Sequence, residues 1–145
     1  MNDRYLAGHV LTASQPELQA LLLEGALRFG RQARQMWNDP AVAGEQRRLL
    51  DRMLAIVEEL TRSVSGRPDP AARRLEEEYA YIYRRLAAAL SGDDPAPLDE
   101  ALRLIEFERD TWRLAGQQLR KAPSAVPAPK LAGDLPTSSG LSLQA

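Results

Sequence analysis

The side chains that could do chemistry in this sequence are few and poorly spaced for it. A single histidine, His9, precedes the first segment of helical periodicity. A di-iron bundle needs Glu-x-x-His pairs on facing helices, and a phosphotransfer bundle needs its histidine exposed in mid-helix. There is no cysteine, which excludes a thiol nucleophile, a thiolate metal site and a disulfide framework. No Gly-rich phosphate loop, Ser/His/Asp set or dinucleotide fingerprint occurs. The densest titratable cluster is Glu76-Glu77-Glu78, preceded by Arg73 and Arg74. On a helix such a run reads either as a cation or acid/base cluster or as a solvated face laced with weak surface pairs, and the second use is the commoner. Arg84-Arg85 sits among acidic neighbours, and two arginines there do not make a nucleic-acid site. The residues therefore point to a binding protein: not an enzyme, with no catalytic residue, no metal and no cofactor.

The elements that must position a binding surface are set by composition. The 145 residues carry 19 Lys+Arg against 20 Asp+Glu, so net charge gives no attraction to nucleic acid or an anionic membrane. Met1 to Ala13 contains Asp3, Arg4 and His9 and lacks the apolar stretch of a secretory signal. No window approaches the ~18 apolar residues of a membrane span, and a cytoplasmic protein without membrane insertion is expected. Charge is unevenly spread: residues 122–145 hold Lys130 and Asp134 as their charges and four of the ten prolines. Such a segment buries too little apolar surface to offset its ordering entropy and is expected to be disordered.

Upstream, β-branched residues are scarce, and Leu, Ala, Arg and Glu dominate. These straight-chain types lose little rotamer freedom in a helix, so the class is all-α. A first helix opens at Ser14-Gln15-Pro16-Glu17, with Ser14 as cap and Glu17 reaching back. It shows Leu18, Leu21, Leu22, Gly25, Ala26, Phe29, Ala33 and Trp37 in a helical stripe and ends at Asn38-Asp39-Pro40. A second runs from about Ala43 to Ser65, with Leu49, Leu50, Met53, Ile56, Val57, Leu60 and Val64 inward. A third starts after Asp69-Pro70 with Ala72, Leu75, Tyr79, Ile82, Leu86 and Leu90, and closes at Ser91-Gly92-Asp93-Asp94. The fourth begins near Asp94-Pro95-Ala96-Pro97 and carries Leu98, Ala101, Leu102, Ile105, Trp112, Ala115 and Leu119. Short connections force successive helices antiparallel. The expectation is an up-and-down four-helix bundle over 14–121, an N-terminal arm over 1–13 and a tail over 122–145.

These stripes are wider than a single core needs. Helix four has a second row, Leu104, Phe107, Thr111 and Leu114, helix two has Leu50, Leu54, Val57 and Thr61, and helix three adds Tyr81 and Tyr83. One helix cannot aim two rows at one axis. The rows are either flank packing or an outer groove for an amphipathic partner helix.

Thr12-Ala13-Ser14 leading to Glu24-Gly25-Ala26-Leu27, then Ile56-Val57-Glu58-Glu59-Leu60, Tyr79-Ala80-Tyr81-Ile82-Tyr83-Arg84-Arg85-Leu86 and Asp110-Thr111-Trp112, resembles the FliS family of flagellar secretion chaperones over residues 5–119. The resemblance implies a non-enzymatic chaperone that binds the C-terminal segment of flagellin, prevents premature polymerisation and delivers the subunit to export-gate components. By match to the family pattern, Tyr5 belongs to the arm, Ile56 and Val57 to an apolar pair on helix two, and Tyr79 and Tyr81 to a Tyr-x-Tyr on helix three. With Val10, Ile82 and Tyr83 these are the candidate client-binding residues, while Trp112 is assigned to the core. The sequence departs from the pattern at Leu23, Glu78 and Glu108. The alternative function on the same scaffold is a regulatory adaptor that sequesters an amphipathic helix of a control protein.

Val126, Leu131, Leu135, Leu141 and Leu143 dot the tail, which either stays solvated or folds back on the groove. On the solvated reading, deleting residues 122–145 leaves the thermal midpoint by circular dichroism unchanged; a clear drop would mean that the tail packs on the bundle.

Overall fold

The computed structural model describes residues 14–121 and the backbone of 138–140 and 142–144. Four helices follow in order: α1 (Ser14–Gln35), α2 (Ala43–Val64), α3 (Pro70–Ser91) and α4 (Ala96–Lys121). They form the expected all-α four-helix bundle; the starts of α1, α3 and α4 and the ends of α2 and α3 fall within two residues of a Pro, Asp or Gly signal read from the sequence, while α1 ends three residues before Asn38 and α2 starts three after Pro40. Two three-residue strands, β1 (Ser138–Gly140) and β2 (Ser142–Gln144), pair antiparallel. The arm of residues 1–13 and most of the segment expected to be disordered lie outside the described residues.

The punctuation is chemical. Asp69 accepts a hydrogen bond from the Ala72 N–H at 2.7 Å, and Pro70 occupies the first turn of α3, where its missing N–H costs nothing. Asp39 accepts from the Ala41 N–H at 3.1 Å and starts a single 3-10 turn, Pro40–Val42, that leads into α2. Asn38 has φ 68 and Gly66 has φ 77, the left-handed backbone that ends α1 and α2. Trp37, expected on the core stripe of helix one, is half-buried in the connection beyond α1. Its indole N–H donates to the Asp93 carbonyl at 2.8 Å and ties that connection to the one between α3 and α4.

The chain divides into two compact units, Gln19–Thr111 and Met1–Leu18 with Trp112–Ala145. In the first, the core is built from Leu23, Ala26, Leu27 and Ala33 of α1, Leu50, Met53, Val57 and Leu60 of α2, Tyr79, Ile82 and Leu86 of α3, and Leu98, Ala101 and Ile105 of α4. In the second, α4 approaches α1 at Gly116, where an added Cβ would sit 3.6 Å from Pro16 Cβ, and Arg120 pairs with Glu17.

The phase of α1 differs from the sequence reading. Leu18 and Leu21 are 50% and 62% exposed, while Leu23 and Leu27 are buried. Leu21-Leu22-Leu23 supports several phases equally, and the small residues decide between them. A Cβ on Gly30 would lie 2.6 Å from Leu102 Cδ2 and 2.7 Å from Met53 Cε, so a side chain on this face of α1 would have to displace the ends of the Leu102 and Met53 side chains. Gly30→Val is expected to destabilise the bundle by roughly 1–3 kcal/mol through overpacking. Urea unfolding would show this as a lowered midpoint, and an unchanged midpoint would mean that α2 and α4 give way freely.

Candidate functional site

On the flank where α3 meets α4 the core leaves apolar side chains in reach of solvent. Tyr81 is 39% exposed and Phe107 65%, Leu104 is half-buried, and buried Ile82 forms the floor. They line an open groove of about 520 Å³, whose remaining wall is Arg74, Glu77, Glu78, Glu100 and Glu108. The second row of helix four is thus surface at Phe107 and Leu114. Isolated exposed apolar residues are ordinary, but a contiguous row with a concave floor is the geometry that receives a partner's anchors.

The polar wall is organised. Glu100 accepts from the Tyr81 hydroxyl and from Arg85 Nε, each at 2.8 Å, and these hydrogen bonds, Tyr81 first, hold its carboxyl below the usual range. The same contact, with some burial, pushes the Tyr81 hydroxyl up, and the Arg84 guanidinium lies 5.8 Å from the Tyr81 ring centre. Glu108 is different in kind. It is 6% exposed, and burial, reinforced by a hydrogen bond to and the charge of Glu78, pushes its carboxyl up to about 8. Removing water from a carboxylate without supplying a cation favours the neutral acid. Glu78 and Glu108, two of the three departures from the family pattern, therefore meet each other. Among the described residues, no group of three His, Cys, Asp or Glu could hold a metal ion.

The structure does not gather the residues singled out from sequence into one surface. Tyr81 and Ile82 line the groove. Tyr83 is half-buried on the other flank of α3, where its hydroxyl donates to Glu58 of α2 at 3.2 Å. Two residues on a helix differ by about 200°, so Tyr81 and Tyr83 cannot share a face. Tyr79 and Val57 are core residues, and the Tyr79 hydroxyl donates to Gln19 Oε1 at 3.2 Å. Ile56 is half-buried toward α1, with Cδ1 3.6 Å from where a Cβ on Gly25 would be. Tyr5 and Val10 lie outside the described residues. Leu104 and Phe107, visible in the sequence as a second row, are wall residues that the family match did not mark.

Among the described residues, no helix is long and apolar enough to cross a membrane. Comparison with known proteins gives a consistent picture. The family model described as flagellar protein FliS matches residues 1–119. The flagellar secretion chaperone FliS of Bacillus subtilis (strain 168) is 30% identical over 117 residues, covering 81% of this chain and 86% of the relative.

Glu108 gives a stability test. Its folded pKa lies above the ordinary 4.5, so the folded state keeps a proton that the unfolded chain has lost. The stability tied to that proton is complete below about pH 4.5 and is lost as pH rises toward 8. The thermal midpoint of Glu108→Gln is expected to fall less than that of the unaltered chain between about pH 5 and pH 8. Equal slopes would mean that Glu108 is ionised in the folded state.

Proposed function

Because the chain belongs to the FliS family, we propose that it is a flagellar secretion chaperone that binds the C-terminal segment of flagellin and keeps it from polymerising before export. Family membership and the relative's name support the secretion-chaperone role, and the residues form no constellation for catalysis. The observation that carries the finer reading is the row of exposed Tyr81 and Phe107 with half-buried Leu104, beside a closed core. A filament subunit has apolar helical faces that seek copies of themselves until assembly. A chaperone needs an open apolar surface of its own to cover such a face, and this one stands on two rigid helices. Part of the gross contact energy, about 2–5 kcal/mol, is spent ordering a client segment that is disordered when free, which keeps the complex releasable. Hand-over to export-gate components completes the same reading.

Calorimetric titration of the full chain with the C-terminal segment of flagellin from the same bacterium tests this directly. Saturable binding at tens of micromolar or tighter is expected, and no binding there would overturn the reading. Phe107→Asp is expected to weaken binding tenfold or more, about 1.4 kcal/mol, without lowering the thermal midpoint, because the ring is largely exposed in the free protein. Unchanged affinity in that variant would remove the α3–α4 flank from the client site.

A further inference from the structure

The groove between α3 and α4 is not a plain apolar slot, because its wall contains a buried carboxyl group matched only with another acid. From α3, Arg74, Glu77 and Glu78 face it; from α4, Glu100 and Glu108 do. Glu100 is engaged by Tyr81 and Arg85. The cations of α1 that reach α4 end elsewhere, Arg31 on Glu106 at 3.3 Å and Arg34 on Asp99 at 2.7 Å. Arg109, adjacent in the chain, is taken up by Glu106 and Asp110. Among the described residues, no basic side chain forms an ion pair with Glu78 or Glu108.

A purely apolar segment laid over this wall would bury the two acids further and offer them nothing, which is costly for any group that ionises. An acidic segment would add repulsion. Arg74 lines the same groove but forms no ion pair with either acid, so a segment that brings a cation resolves the conflict, supplying the direct partner that Glu78 and Glu108 lack while its apolar neighbours cover the floor. We propose that the groove takes an amphipathic segment of the client in which a lysine or arginine stands between apolar residues, the cation lying against Glu78 and Glu108 and the apolar residues on Ile82, Leu104 and Phe107. This rests on the export-chaperone reading and specifies what the client must present. A lysine or arginine in that position replaces the proton that burial keeps on Glu108 in the free protein. Binding is therefore coupled to proton release, and affinity rises with pH up to the point where Glu108 ionises unaided.

The test is calorimetry of the full chain with the flagellin C-terminal segment in phosphate and in Tris, whose ionisation heats differ, at several pH values from about 6 to 8. About one proton is expected to be released per complex, with affinity rising up to about tenfold per pH unit. Glu108→Gln and Glu78→Gln, checked for folding by circular dichroism, are expected to bind with no proton release and about tenfold more weakly at the upper pH. Replacing the client's basic residues by glutamine one at a time is expected to find one whose loss abolishes proton release. Binding without proton release, or both variants matching the unaltered chain in affinity and proton count, would overturn the inference and leave the chaperone reading standing. No binding by any form would overturn both. A dilution heat of the protein alone that depends on pH and disappears in Glu108→Gln would assign the groove to a second copy of the chain, and so also overturn it.

Discussion

The tightest constraint in the bundle is the meeting of α1, α2 and α4 at Gly30, where Met53 and Leu102 occupy the volume of a side chain. The ends of the Met53 and Leu102 side chains close over the glycine, so the face of α1 that carries Gly30 is the one turned inside. Ala26 and Ala33, about one turn to either side, are then buried as well, and Leu23 and Leu27 fill the space flanking them. Leu18 and Leu21 are driven outward. Phe29 is left half-buried, with Arg28 and Arg52 packed over its ring at 5.6 and 5.4 Å, so that two flexible cationic stems cover what the core cannot.

Two buried polar or charged residues of the bundle, Gln19 and Glu108, are partnered in different ways. Tyr79 of α3 donates to Gln19 of α1, Gln19 Nε2 donates to Ser63 Oγ of α2 at 3.0 Å, and Ser63 donates to the Leu60 carbonyl at 2.6 Å. That relay links three helices while leaving its buried members satisfied and uncharged, the condition under which polar burial is cheap. Glu108 is held differently, because a largely buried carboxyl at the groove wall has as its partner another carboxyl. Replacing it with an apolar residue of similar size would fit the interior better. A site that gives up stability in the free protein is the kind of place where a bound partner supplies the missing interaction.

Helix boundaries were legible because they depend on local chemistry: Asp69 and Pro70, Asp39 and Pro40, Gly66 and Asn38 act through their own backbone. The phase of α1 was not, because Leu21, Leu22 and Leu23 are interchangeable until Gly30 finds its neighbours. Part of the site was legible in the double row of helix four, which the bundle geometry turned outward at Phe107. Grouping Tyr79, Tyr81, Ile82 and Tyr83 as one patch failed because consecutive helical residues point in different directions, and the patch divides among core, α4 flank and α2 flank. The meeting of Glu78 with Glu108 needs the register of α3 on α4, which no local pattern encodes. Both residues were nevertheless visible in the sequence as departures from the family pattern.

An open apolar groove carries a hazard, since the surface that receives a client could also receive another copy of the protein. The wall of this groove bears on that choice. Around Tyr81, Leu104 and Phe107 the acids Glu77, Glu78 and Glu100 outnumber Arg74, so two such grooves brought face to face would set an excess of like charge against itself as their apolar parts met. Repulsion of that kind is inexpensive in the free protein, where water screens it, and grows as the interface excludes water. A segment bearing a cation meets the opposite balance, gaining from the same exclusion. The acidic wall thus separates partners by charge while the apolar floor attracts them indiscriminately. That division lets an exposed binding surface persist on a small bundle without closing on itself.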